Sequence, residues 1–305
     1  MSLVDLGRNT KMKYVDSNQV LKKMTYRLSI NNIAKYLFML STLFGLIVLI
    51  VLLYRVISQG LGWIDYPFLT GKLSTYAEKA GIMGAILGTL WLMIVVAPIT
   101  IFLGVGTAIY LEEYAKKGRL QSFIQTNITN LAGVPSIVFG LLGLTIFVRS
   151  LGLGNIVLAG GLTMSLLVLP IVVVASQEAI RAVPQFLREA SYGMGATKWQ
   201  TVKKVILPAA LPGIITGVIL SLSRAIGETA PLVVIGIPAL LIPFPDHILD
   251  KFTVLPMQVY YWTIDSALVA EYGNLAAATI IVLLLILFVM NSIAVVIRNK
   301  FQKRY

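Results

Sequence analysis

The 305-residue chain contains no cysteine and a single histidine, His247. The first absence excludes a disulfide framework and any thiolate metal site. The second excludes a histidine-built metal centre or proton relay. Charge is also scarce: 12% of the residues are charged, with 13 acids against 25 Lys and Arg. With a mean hydropathy of +0.85, this composition belongs to a polytopic membrane protein and not to a soluble domain of this size. Several catalytic signatures are missing as well. There is no G-x-x-x-x-G-K-[ST]: Gly71-Lys72 is followed by Leu73 and lacks the earlier glycine. There is no G-x-S-x-G, no H-E-x-x-H, and no mid-span lysine to serve a Ser-Lys hydrolase. The expectation is a chain that is not an enzyme, does not hydrolyse ATP, and holds no cofactor or metal.

Six apolar runs are long enough to cross roughly 30 Å of hydrocarbon. They are Tyr36–Ile57, Ala85–Tyr110, Leu131–Val148, Ile156–Ser176, Ala209–Gly236 and Leu275–Ile297. The first is long, follows a basic polar stretch and lacks a small-residue cleavage site, so it reads as an uncleaved span. Basic residues alternate between loops. The N-terminal stretch, the second loop (Lys116, Lys117, Arg119), the fourth loop (Arg181, Arg188, Lys198, Lys203, Lys204) and the C-terminus are rich in them; the other loops are not. Positive loops stay cytoplasmic, so both termini and the fourth loop are expected inside. The net charge of +12 follows these loops, which points to membrane lipid and not to nucleic acid.

The expected organisation is a basic cytoplasmic tail with an amphipathic helix near Gln19–Ile33 (1–35), a six-span all-α domain (36–297) and a basic C-terminus (298–305). Within the spans lie an inner loop, 177–208, and an outer loop, 237–274. The outer loop is rich in Pro, Tyr, Trp and Phe, which predicts a folded cap with a partly buried helix near Met257–Ile264. It serves either as packing over the bundle or as a contact for a delivery protein. The glycine rows Gly81, Gly84, Gly88 and Gly213, Gly217 predict close helix packing.

Two segments carry the chemistry. In EASYGMGATKWQTVKKVILP (Glu189–Pro208), Gln185–Tyr192 can form a short helix that Gly193 and Gly195 end. Thr197 can cap a second helix, Lys198–Leu207, ending before Pro208. Two short helices at an angle make a knob suited to a partner's groove, or an interfacial hairpin whose basic residues meet lipid phosphates. The second segment is SLSRAIGETAPL, with Arg224 near mid-span and Glu228 four residues on, a spacing that puts both on one helical face where they can pair, Pro231 loosening the helix just beyond. Ser221 and Leu220 lie on or near that face and Thr229 borders it. Charges at that depth face a bundle interior or a wet cavity. One reading is a structural ion pair. The other is a transient anion station: a guanidinium forks hydrogen bonds to a tetrahedral oxyanion, and the neighbouring carboxylate keeps the site from becoming a trap.

The pattern E-A-x-x-x-x-G, nine residues, aliphatic, one residue, L-P places Glu189, Ala190, Gly195, Val205, Leu207 and Pro208 at positions that resemble the ATPase-docking segment of binding-protein-dependent importers. Ser191 and Val205 are mild departures. NLAGVPSIVFGLLG (Asn130–Gly143), SRAIGETAPLVVIG (Ser223–Gly236), FTVLPMQVYYW (Phe252–Trp262) and IYLEEYA (Ile109–Ala115) together resemble the PstA-type permeases of high-affinity phosphate importers, over nearly all of the chain beyond Lys35. That resemblance implies a type I ABC importer permease (MetI-like) fold in a prokaryotic cytoplasmic membrane. It implies a C-type permease as partner, two ATPase subunits that bind ATP and Mg, and an external phosphate-binding protein. It also implies coupling helices in the inner loop, and Arg224 and Glu228 in the phosphate path. A C-type, sulfate or molybdate permease is the alternative within the class. A stand-alone anion channel or carrier would explain Arg224 but not the docking segment.

Overall fold

The computed structural model describes residues 17–238 and 244–301, so the stretch 1–16 expected to be a polar tail lies outside the described residues. Two compact units divide at Arg55/Val56. The described residues of the first unit all lie in one helix, α1 (Ser17–Gly60). The stretch expected as a separate amphipathic helix is the opening of α1: no proline or glycine interrupts 19–33. From Tyr36 to Tyr54 its apolar side chains are exposed on every face, as in a helix whose solvent is lipid.

The second unit is a bundle. A short helix, α2 (Tyr66–Thr70), is capped by Asp65, whose carboxylate accepts from the Phe68 N–H at 2.7 Å. Then come α3 (Met83–Ile109), α4 (Arg119–Leu131), α5 (Ser136–Gly143), α6 (Val157–Arg181), α7 (Gln185–Gly193), α8 (Lys198–Thr201), α9 (Leu207–Gly227), α10 (Ala230–Ile235), α11 (Leu255–Asp265) and α12 (Glu271–Phe301). π-helical turns extend α3 (Tyr110–Tyr114), extend α5 (Leu144–Ser150) and join α8 to α9 (Val202–Ile206). Among the described residues, five continuous helical stretches are long and apolar enough to cross a membrane; a sixth exists if α4 and α5, bent by 103°, count as one span. The third expected span is thus a bent pair. Gly133 and Pro135 turn the chain between the two helices, and the residue before a proline resists helical backbone.

α6 is the central helix, packed between α3 and α9. A Cβ built on Gly217 would lie 2.5 Å from Cβ of Ala175, and one on Gly213 2.8 Å from Cβ of Ala179. This glycine pair sets the α6–α9 approach, as expected. The other row does not join helices. Gly88 leaves room for the Thr253 carbonyl, and Gly81 abuts Gly71. Both seat loops.

The outer loop is a packed cap. α11 covers the expected Met257–Ile264; its Leu255 and Trp262 join Phe68, Ile82 and Leu275 in one buried cluster, while Met257 belongs to the main core. Polar ties close it. Trp91 Nε1 donates to the Pro245 carbonyl at 2.9 Å, Tyr261 Oη to Ile237 at 2.9 Å, and the Leu255 N–H to Thr89 Oγ1 at 3.0 Å. The turn 247–251 supplies carbonyls of Asp250 and Ile248 to the N–H groups of Val157 and Leu158, so it caps the start of α6.

Candidate functional site: a docking end and an open arginine

At the α7–α8 end, α7 covers the expected Gln185–Tyr192 and runs on to Gly193. The bend comes at Gly195 alone, at φ +79°, a conformation side-chain-bearing residues rarely adopt. Thr197 caps α8 with a reciprocal capping box: its hydroxyl accepts from the Gln200 N–H, and the Gln200 side chain accepts from the Thr197 N–H. The second helix does not end before Pro208. It runs from Lys198 to Gly227 as one path. A proline inside an α-helix removes one hydrogen bond and clashes with the carbonyl four residues back. The π turn Val202–Ile206 opens the ladder at that place, and Pro208 sits in the first turn of α9.

The docking pattern therefore splits. Glu189, Ala190 and Gly195 are exposed on the α7–α8 knob; Val205, Leu207 and Pro208 are half-buried at the root of α9, with Leu207 packed on the core. The apolar groups the knob presents outward are Phe186, Tyr192, Met194 and Trp199, of which Met194 is 88% exposed. The pattern names none of them.

The knob is held by charge pairs that sequence reasoning missed. Arg188 on α7 meets Glu113 at 3.2 Å, both largely buried, and donates to the carbonyls of Val183 (2.7 Å) and Ile180 (2.8 Å). One guanidinium thus ties α7 to the π turn after α3 and satisfies the end of α6. Beside it, Glu112 accepts from Arg181 (2.6 Å) and from the buried Gln177 (2.9 Å), which is also paired with Gln125 of α4. Ser191 and Thr201 share a hydrogen bond at 2.9 Å. The available signal was the acid pair of IYLEEYA facing a basic loop.

Midway along the bundle, the expected single fifth span is broken. α9 stops at Gly227, Glu228 is extended (φ −84°, ψ 124°), and α10 starts at Ala230. Pro231 is the cause, because its ring would meet the carbonyl of Gly227, four residues back. Arg224 and Glu228 consequently do not share a helical face, and among the described residues neither has an ion pair or side-chain hydrogen bond. Arg224 is exposed on α9 with Leu220 and Gly227; Glu228 and Thr229 are half-buried in the break. Ser221 is buried and its hydroxyl donates to the Gly217 carbonyl at 2.8 Å. It therefore turns to the packed side of α9, while Arg224, one turn on and about 60° round the helix, is exposed. The structural ion pair between Arg224 and Glu228 has no support in this geometry.

Helices, an apolar belt and a knob hung from one end define a multi-pass membrane component of a transport assembly. The chain belongs to the family described as "Binding-protein-dependent transport system inner membrane component", which matches residues 100–303. Among its relatives, the phosphate transport system permease protein PstA of Yersinia pestis is 31% identical over 285 residues, 92% of this chain and 93% of that protein. PstA 1 of Mycobacterium tuberculosis (strain CDC 1551 / Oshkosh) is 39% identical over 223 residues, 71% and 72% of the two chains. The probable ABC transporter permease YqgI of Bacillus subtilis is 38% identical over 185 residues, 61% of this chain and 63% of YqgI. Among solved structures, a bacterial ABC transporter for alginate import superposes with a TM-score of 0.63 at 16% identity, over 91% of this chain and 100% of that one. An inward-facing MetNI methionine transporter gives 0.59 at 18%, over 73% and 96%. The fold is thus the importer-permease fold expected from the sequence.

Proposed function

We infer that the chain is a permease subunit of an ATP-driven phosphate importer, non-catalytic itself, and that with a homologous partner permease it forms the conduit for inorganic phosphate. One relative named as a phosphate transport permease matches 92% of the chain, and another 71%. The observation that carries the reading is Arg224. A guanidinium on the flank of a membrane helix, exposed and without a partner among the described residues, is costly in lipid. It has to face a polar path or a second chain. A permease pair supplies both, and an arginine suits a tetrahedral oxyanion better than a cation or a neutral solute. Glu228, in the break one turn beyond, has an extended backbone and is placed to limit how long an anion stays.

The remaining roles follow. The α7–α8 knob is the ATPase contact, with Phe186, Tyr192, Met194 and Trp199 as its apolar face and Glu189, Ala190 and Gly195 shaping it. Val205, Leu207 and Pro208 serve as its root. ATP and Mg belong to the two ATPase subunits. The basic loops put the knob and both termini in the cytoplasm, and the packed cap faces the external phosphate-binding protein.

The test is uptake of labelled phosphate, with assembly measured alongside, for Arg224→Gln, Glu228→Gln and the double variant. All three are expected to assemble and fail to transport, Arg224→Gln by about 100-fold or more, the loss of a charged two-point contact. Transport restored in the double variant would sink the reading, and so would sulfate uptake in place of phosphate.

A further inference from the structure

α12 is apolar from Leu275 to Met290 except for Thr279, and then places Asn291 and Ser292 within its membrane stretch. An amide at that depth needs a partner. Asn291 Oδ1 has one: Ser223 Oγ of α9, at 2.6 Å. The serine's single proton serves this oxygen and the Ile219 carbonyl, 2.8 Å away. Seven residues earlier in α9 and seven later in α12, Thr216 Oγ1 lies 3.5 Å from Arg298 Nη1. Seven residues are two helical turns, so both contacts fall on one seam between antiparallel helices.

Packing between apolar helices in lipid does little to fix rotation, because lipid is as apolar as the helices; a hydrogen bond fixes it. α9 is seated against α6 through Gly213 and Gly217 on one side and tied to α12 on another. Arg224 is the residue next to Ser223, about 100° round the helix, so the seam determines where the guanidinium points. Gly227, one turn on, has nothing within 4 Å of where its Cβ would be, which leaves the space above Arg224 open.

We propose that Asn291 is a positioning residue for the anion path, holding α9 through Ser223 so that Arg224 faces the path. The proposal rests on the reading of Arg224 given above. The chain has no cysteine, so Arg224→Cys in the assembled importer gives a single reporter on this subunit, read with a charged, water-soluble thiol reagent. Adding Asn291→Leu is expected to slow the reaction about tenfold. Ser223→Ala, a change small enough to spare folding, should slow it as much, and the two together no more than either alone. With Arg224 intact, each should raise the phosphate concentration for half-maximal uptake about fivefold while assembled complex and maximal rate stay within about twofold. Unchanged thiol reactivity in both backgrounds overturns the proposal whatever uptake does. Slowed reactivity with normal uptake overturns it through its premise, since Arg224 would then not serve the path.

Discussion

At the knob end, Arg181 and Arg188 each reach a glutamate of the turn Tyr110–Tyr114, and Arg188 also closes two carbonyls of its own chain. In the last turn of α9, Arg224 has no ion pair among the described residues. Both regions carry arginine and glutamate, but the pairs that form join residues 69 and 75 positions apart in the chain, whereas the pair that helical spacing invites, Arg224 with Glu228, does not form. The difference lies in the backbone. The π turn after α3 turns Glu112 and Glu113 toward α6 and α7, whereas Pro231 breaks the helix between Arg224 and the next segment and carries Glu228 off its face. Charges satisfied inside the chain fix a shape. Charges left open wait for something outside it.

The contrast is sharpest in thermal stability. Arg188→Ala leaves Glu113 largely buried without a counter-charge and two carbonyls unsatisfied. It should cost about 3–5 kcal/mol and release the ATPase subunits from the purified complex. Arg224→Gln should leave the melting temperature within a degree or two while uptake is lost. Equal destabilisation by the two would erase the distinction.

Next in size is Gly195. Nothing lies within 4 Å of where its Cβ would be, so only the backbone conformation resists substitution. Gly195→Leu should cost roughly 1–2 kcal/mol and weaken ATPase retention, while Gly195→Asn, which tolerates this conformation better, should recover most of it. A Leu variant that retains its ATPase normally would show that the knob's shape does not govern docking.

A smaller step tests the capping box. Thr197→Ala should lower stability by about 1 kcal/mol, visible as faster amide exchange confined to residues 198–201. Exchange spreading into α9 would mean that α8 and the span unfold together.

The least effect is expected at the outer cap. N–H groups of Asp246 and His247 donate to the Asp250 carboxylate at 2.8 and 3.0 Å. The Asp246 contact is foremost in holding that carboxyl below its ordinary value of 3.8. Because the folded value is the lower one, the contribution is full above the ordinary value and is lost as pH falls through the folded one. Protease protection of the turn should be flat from pH 7 to 5 and fall only below about 4. Asp250→Asn should show no such fall. A transition near pH 6 would assign control to another group.

Much of this was legible beforehand. Apolar runs located five spans, since length and hydropathy are local properties. α7, the Thr197 cap and α11 followed from short-range signals that need no partner. The breaks were harder. Pro231 was visible, yet whether it loosens a helix or ends it depends on what accommodates its ring. Pro208, which does not end its helix, shows the opposite outcome. The ties Arg188–Glu113, Gln177–Glu112 and Ser223–Asn291 join residues far apart in the chain, and no periodicity reports such meetings. Helical spacing put Ser221 beside Arg224 but did not show that Ser221 is buried and Arg224 exposed, because which side of α9 packs is set by α6.

The π turn between α8 and α9 has a consequence beyond admitting Pro208. A π turn is an α-helix carrying one surplus residue, so everything after it is out of phase with everything before it by one residue's worth of rotation, about 100°. The bearing of Arg224 relative to Trp199 on the knob is therefore written in the count of residues between them. Deleting one residue from 202–206 would restore an ordinary ladder, keep every side chain outside that turn, and leave the guanidinium and the knob aimed along a different pair of compass directions.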